Sequence, residues 1–349
     1  VLPELTAFDR YGGQLLASRE YEPTVFFIVY IAIIQGGQSA GQFFSFGPNI
    51  AQAKASASRI LGARSSVTGQ LQNPSPESLL SHGQNRAADI ELRGVCFKYT
   101  SRNIPALVNV NISIDSGQFV AFVGPSGSGK STIISLLERF YDPSHGSILF
   151  NGRDIRSLEL FSYRKCLSLV AQEPKLFDGS IKDNLLLGLE ITDDMLIENQ
   201  MVQACKDAEI HDFIMSLPDG YFTDLGTNAQ TAFSGGQKQR LCIARALIRR
   251  PLVLLLDEAT SSLDSQSEKL IQEAMERLAV KRNMTIIAVA HRLATIQKAD
   301  VIFVLGEGVA SQGSEILEKG NHNELLRNKG PYWQMVLYPS VQPVLQRKS

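Results

Sequence analysis

The segment QFVAFVGPSGSGKSTIISLLERF, residues 118–140, sets Gly124, Gly129, Lys130 and Ser131 between an apolar run and an amphipathic one. A strand, a glycine-rich turn and a helix in that order make a phosphate-binding loop. Glycines let backbone N–H groups turn inward around an anion, and the helix N-terminus adds a favourable dipole. Ser126, Gly127 and Thr132 belong to the same loop and its first helical turn. Lys130 is expected to contact the β- and γ-phosphates of a nucleotide, and Ser131 to bind Mg²⁺. Further along, RRPLVLLLDEATSSLD places Asp257 and Glu258 at the tip of a fully apolar run. There Asp257 can support Mg²⁺, and Glu258 can act as general base on an attacking water.

A third segment, FSGGQKQRLCIARALIRR at residues 233–250, opens a helical pattern with a capping serine and two glycines. Ser234 can cap the helix while Gly235 and Gly236 let N–H groups approach a γ-phosphate. With Gln237 these residues match the S-G-G-Q of the signature that marks the ATP-binding cassette (ABC) superfamily, which this sequence resembles; Phe233 replaces the usual leucine. In that family the segment completes the site of an opposing cassette, so that two ATP molecules are sandwiched head to tail. The resemblance implies further roles. Tyr99 in VCFKYTSR matches the aromatic residue that stacks on adenine, with Thr100 where a proline is frequent. Gln172 in LVAQEPKLF matches a residue linking Mg²⁺ to the membrane interface. Asp264 in SSLD matches the loop beyond the carboxylates, and His291 in AVAHRL the histidine that contacts the γ-phosphate. The chain reads TDLGTNAQTAFSGGQ where B-type exporters carry a Glu–Arg element, which weakens the case for communication with the membrane domain.

The elements that must position these residues read as short strands alternating with helices from about residue 88 to 338, an α/β cassette with a mixed, largely parallel sheet and a helical signature subdomain. VASQGSEILEKG reads as a surface-loop insertion. Ahead of the cassette, residues 24–47 carry no charge and suffice for one spanning helix, while Lys54, Arg59 and Arg64 give a cytosolic cationic flank. Gln35, Gln38, Gln42 and Ser45 share one face of that helix, suited to lining a polar passage or to bonding neighbouring helices. Residues 1–61 therefore read as the remnant of a transmembrane domain, 62–87 as a linker rich in Ser, Gln, Gly and Pro, and 339–349 as a tail.

The formal net charge of -1 offers no field for a nucleic acid. Four scattered cysteines suggest neither zinc nor disulfides and fit the cytosol. The chain opens on Val1 and reads as a fragment. The resemblance is to multidrug-resistance-like exporters of the B type, and it implies an ATPase using ATP and Mg²⁺. The expected partners are a second cassette, the remaining transmembrane helices and membrane lipid. The expected location is a membrane, the plasma membrane first, with the cassette facing the cytosol. The alternative is a non-transporting regulatory or truncated cassette that binds ATP and pairs with another subunit.

Overall fold

A computed structural model of the chain describes residues 10–11, 13–18, 22–68, 87–189, 194–226, 233–258, 265–290, 293–307 and 313–337. The chain divides into two compact units, Val1–Leu71 and Gln72–Ser349. The first unit is dominated by helix α1, Pro23–Thr68. Its portion Pro23–Phe43 is long and apolar enough to cross a membrane, and none of it is buried within the chain. The helix continues past Gly62, where composition alone begins the linker; residues 69–86 of that linker and the tail lie outside the described residues. Nothing in residues 62–68 breaks a helix, since GARSSVT has no proline and its one glycine costs only about 1 kcal/mol.

The second unit is built on one ten-stranded sheet. Its strands are β1 (Ile90–Phe97), β2 (Leu107–Ile114), β3 (Phe119–Val123), β4 (His145–Phe150) and β5 (Arg153–Asp154). They continue with β6 (Leu167–Val170), β7 (Val253–Asp257), β8 (Thr285–Val289), β9 (Val301–Glu307) and β10 (Ser314–Gly320). The order across the sheet is β5-β4-β1-β2-β10-β9-β3-β8-β7-β6. From β9 to β6 every pairing is parallel, whereas β1, β2, β4 and β5 pair antiparallel. The sheet is therefore mixed.

The parallel strands are apolar runs because both of their faces are covered. In β3, Phe119, Ala121 and Val123 join one core while Val120 and Phe122 join the other. That split is the two-residue period of a strand, expressed with an apolar residue on each side. The first core lies under helices that include α5 (Asp194–Asp207), α6 (His211–Met215), α7 (Gly235–Ile248) and α8 (Ser265–Lys281); α4 (Ile181–Leu186) packs there too. The second core encloses α2 (Lys130–Leu137) between the parallel strands and the antiparallel β1–β2–β4 layer, with Tyr163 of α3 (Leu160–Lys165) beside it.

SEILEKG is not part of a surface loop but strand β10, antiparallel to β9 from Ser314↔Glu307 to Gly320↔Ile302. Ser314 and Leu317 are buried, and Ile316 packs on the core. Alternation is blurred there because a register shift falls between Ile316 and Glu318.

Candidate nucleotide site

The phosphate loop leaves the carboxyl end of β3, the ligand end of a parallel sheet. Gly129 ends it in the left-handed region (φ 83°), and a Cβ there would lie 2.6 Å from Leu107 Cδ2, so only glycine fits between the loop and β2. Lys130 follows as the first residue of α2 and is 5% exposed. Its ammonium donates to the carbonyl oxygens of Gly124 (3.0 Å) and Pro125 (2.8 Å). Burial pulls its pKa below the usual lysine value, while Glu258 and Asp257 act the other way. The lysine is thus anchored by neutral acceptors and faced by two carboxylates. The Ser128 hydroxyl, within the same loop, is buried with no hydrogen-bond partner among the described residues.

Strand β7 delivers the carboxylates beside the loop. Ser131 Oγ donates to Asp257 Oδ1 at 3.3 Å, joining the two residues expected to hold magnesium. These hard oxygen donors suit that ion, and the inward-facing glycine loop with its buried lysine suits a polyphosphate. Glu258 takes a left-handed conformation (φ 48°), a sparsely populated state for a residue with a Cβ, and its amide is tied to Val289 O at 3.1 Å. The turn brings its carboxylate to Gln172, whose Nε2 donates to Glu258 Oε2 at 2.9 Å. Gln172 and Glu258, 86 positions apart, are thereby assembled at one spot.

A cleft of about 710 Å³ opens beside these groups, lined by Tyr99, Ser126, Gly127, Lys130, Ser131, Thr132 and Glu258 among others. The Tyr99 hydroxyl shares a hydrogen bond with Thr132 Oγ1 at 3.2 Å, linking the expected base platform to the phosphate loop. The residues of Ser234–Gln237 do not line this cleft. Ser234 caps α7 in a reciprocal box: Gln237 N donates to Ser234 Oγ (3.3 Å), and Ser234 N donates to Gln237 Oε1 (2.9 Å). Phe233, in place of leucine, meets Phe213 edge to face at 5.5 Å. Asp264, His291 and the segment that departs from the exporter pattern at 227–232 lie outside the described residues.

Several cleft residues were not expected from sequence. Arg102, Asn103 and Pro105 line it from the turn after Tyr99, and Gly313 and Ser314 from the start of β10. The only cue was the polar, proline-containing TSRNIP between two strands. Glu138, at the end of α2, is a second surprise: burial pushes its pKa up to about 7, with Arg164 opposing and Asp257 reinforcing. Its folded value lies above the unfolded one of about 4.5, so the protonated group stabilises the fold fully below that pH. The contribution fades as pH rises through about 7. Glu138→Gln is expected to gain about 1–2 kcal/mol over the parent at pH 8, after allowance for partial exposure, and to match it near pH 4.5. Denaturant unfolding at the two pH values checks this.

Phosphate loop, paired carboxylates and glutamine on this sheet define a nucleotide-hydrolysing cassette, and the sequence model of the family described as "ABC transporter" matches residues 107–261. The cassette is an ABC transporter ATPase domain. The chain is 64% identical over 331 residues to ABC multidrug transporter E of Aspergillus fumigatus, covering 94% of this chain and 26% of that protein. It is 50% identical over 329 residues to ABC multidrug transporter atrD of Emericella nidulans, covering 93% of this chain and 23% of that protein. The chain thus spans about a quarter of the length of these curated relatives. Among solved structures it resembles a bacterial Atm1-family ABC exporter with ATP bound, at 39% identity and a TM-score of 0.64. That match covers 73% of this chain and 42% of the exporter.

Proposed function

We propose that this ATPase domain drives export of a substrate across a membrane by pairing head to tail with a second cassette. The observation that carries the pairing is the separation of the two halves of the chemistry. Lys130, Ser131, Gln172, Asp257 and Glu258 converge, while the residues of Ser234–Gln237 do not line their cleft. A capped helix start with exposed Ser234 and Gly235 is an anion-binding surface that needs a nucleotide from elsewhere. The multidrug names of the relatives and the apolar portion Pro23–Phe43 support the membrane and export parts of the reading, with the cassette facing the cytosol and the plasma membrane as the first place to look. The remaining transmembrane helices and lipid would be its other partners.

Lys130 exchanges its carbonyl acceptors for phosphate oxygens when ATP enters. Ser131 and Asp257 would hold magnesium, which supplies neutralisation of charge between the β- and γ-phosphates. Glu258, positioned by Gln172, takes a proton from water as the water oxygen bonds to the γ-phosphorus. The bond from that phosphorus to the β–γ bridging oxygen breaks, and ADP leaves with phosphate. His291 is assigned to the γ-phosphate, Asp264 to the facing cassette, and Tyr99 to the base. Closing and reopening of the pair would shift the membrane domain between two states.

Composite sites make a direct test. A Lys130→Ala chain and a Ser234→Arg chain are each expected to hydrolyse little ATP alone. Mixed, they assemble one site with an intact loop and an intact facing signature, so hydrolysis returns in part. A mixture no more active than the sum of its components would sink the head-to-tail reading.

A further inference from the structure

Tyr99 is held from several sides. Phe97 meets its ring edge-on at 4.8 Å and 83°, and Tyr141 does so at 5.3 Å and 85°. Its hydroxyl is bound to Thr132. The Arg102 guanidinium lies over the ring, its carbon 5.8 Å from the centroid. Arg102 is tethered there by its own backbone, since Arg102 N donates to Tyr99 O at 3.1 Å and closes a tight turn. The side chain is exposed and forms part of the cleft wall.

A guanidinium is planar and delocalised and stacks on an aromatic ring as a base does. We propose that Arg102 competes with the nucleobase for the stacking surface of Tyr99, so that a base binds by displacing it and the base's share of the affinity is held down. This rests on the reading of Tyr99 as the base platform. The cost of the exchange falls on base-bearing ligands alone. A ligand with a π-face replaces the cation–π contact it removes, whereas a bare triphosphate has nothing to offer the ring and leaves Arg102 where it is. Arg102 also adds a positive charge to the wall of the cleft that the phosphate loop lines, which favours any triphosphate, with or without a base. The ratio of affinities for ATP and tripolyphosphate cancels that common electrostatic part and isolates the ring.

The test is equilibrium binding of Mg·ATP and magnesium tripolyphosphate to the whole chain purified in detergent. Arg102→Ala is expected to raise the ratio of ATP affinity to tripolyphosphate affinity about 2- to 5-fold, the worth of one exposed cation–π contact. Arg102→Lys, which keeps the charge and stacks less well, should fall between. An unchanged ratio would make the contact incidental and overturn the proposal. A reduced ratio would overturn it differently, by placing Arg102 on the bound base as a second stacking partner. Tyr99→Ala separates the underlying reading: it should collapse the ratio, and if it does not, Tyr99 is no platform, whatever Arg102 does.

Discussion

Glu258→Gln is expected to leave ATP binding near normal and to cut hydrolysis by a factor of about 10²–10⁴, the usual contribution of a positioned general base. The substitution preserves shape and the hydrogen bond that positions the group. Gln172 Nε2 donates to Glu258 Oε2 at 2.9 Å, and a glutamine amide oxygen can still accept that bond, though more weakly than a carboxylate. The left-handed backbone at φ 48° and the amide bond to Val289 O are untouched, since neither involves the carboxylate. What disappears is the ability to take a proton. Bound ATP that cannot turn over should hold two cassettes closed, so the variant should sediment as a pair with ATP and singly without it. Near-normal turnover would remove Glu258 from the role of base. Lost turnover without ATP-dependent pairing would keep the base and dismiss the closed pair.

Lys130→Ala is expected to act earlier, on binding itself. Lys130 is 5% exposed, and its ammonium donates to the carbonyls of Gly124 and Pro125. Hydrogen bonds from a charged donor are worth about 1.5–3 kcal/mol each, so losing the lysine's bonds to phosphate should weaken ATP binding roughly 10- to 100-fold and all but abolish hydrolysis. Alanine also leaves Asp257 and Glu258 facing the phosphates with no cation from the loop, which sets phosphate against carboxylate. Titration calorimetry with Mg·ATP measures the first effect and phosphate release the second. Retention of parental affinity would mean that the loop amides alone hold the nucleotide.

Much of the site was legible because strong local constraints write themselves into short strings. A loop that wraps a phosphate needs glycines at fixed offsets, and a buried parallel strand needs an apolar run; in VLLLDE that run ends in two carboxylates at the ligand end of the strand. The Gln172–Glu258 bond was beyond the sequence, because two segments 86 positions apart meet only through the parallel pairing of β6 with β7. Strand β10 was misread for a similar reason: SEILEKG mixes charge with two apolar residues, and its partner β9 supplies the order that its own pattern lacks. Arg102 escaped because a charged residue in a polar turn looks solvated until the ring beneath it is seen. Glu138 escaped because an acidic residue at a helix end gives no sign of its burial.

The signature helix and the helix that follows the carboxylates fit together without play. A Cβ on Gly236 would lie 2.2 Å from Ser267 Cβ, so the first turns of α7 and α8 touch with nothing between them. Only six residues separate Glu258 from the start of α8, a tether that reaches at most about 25 Å fully extended. Glu258 and the Ser234–Gln237 surface are thus only a short stretch of chain and one close helix contact apart. At Gly236 and Ser267 there is no gap to absorb a shift of α8 toward α7. Each cassette would in this way report the condition of its own hydrolytic residue through the surface with which it completes the other's site, and two such surfaces would keep a pair of engines in step.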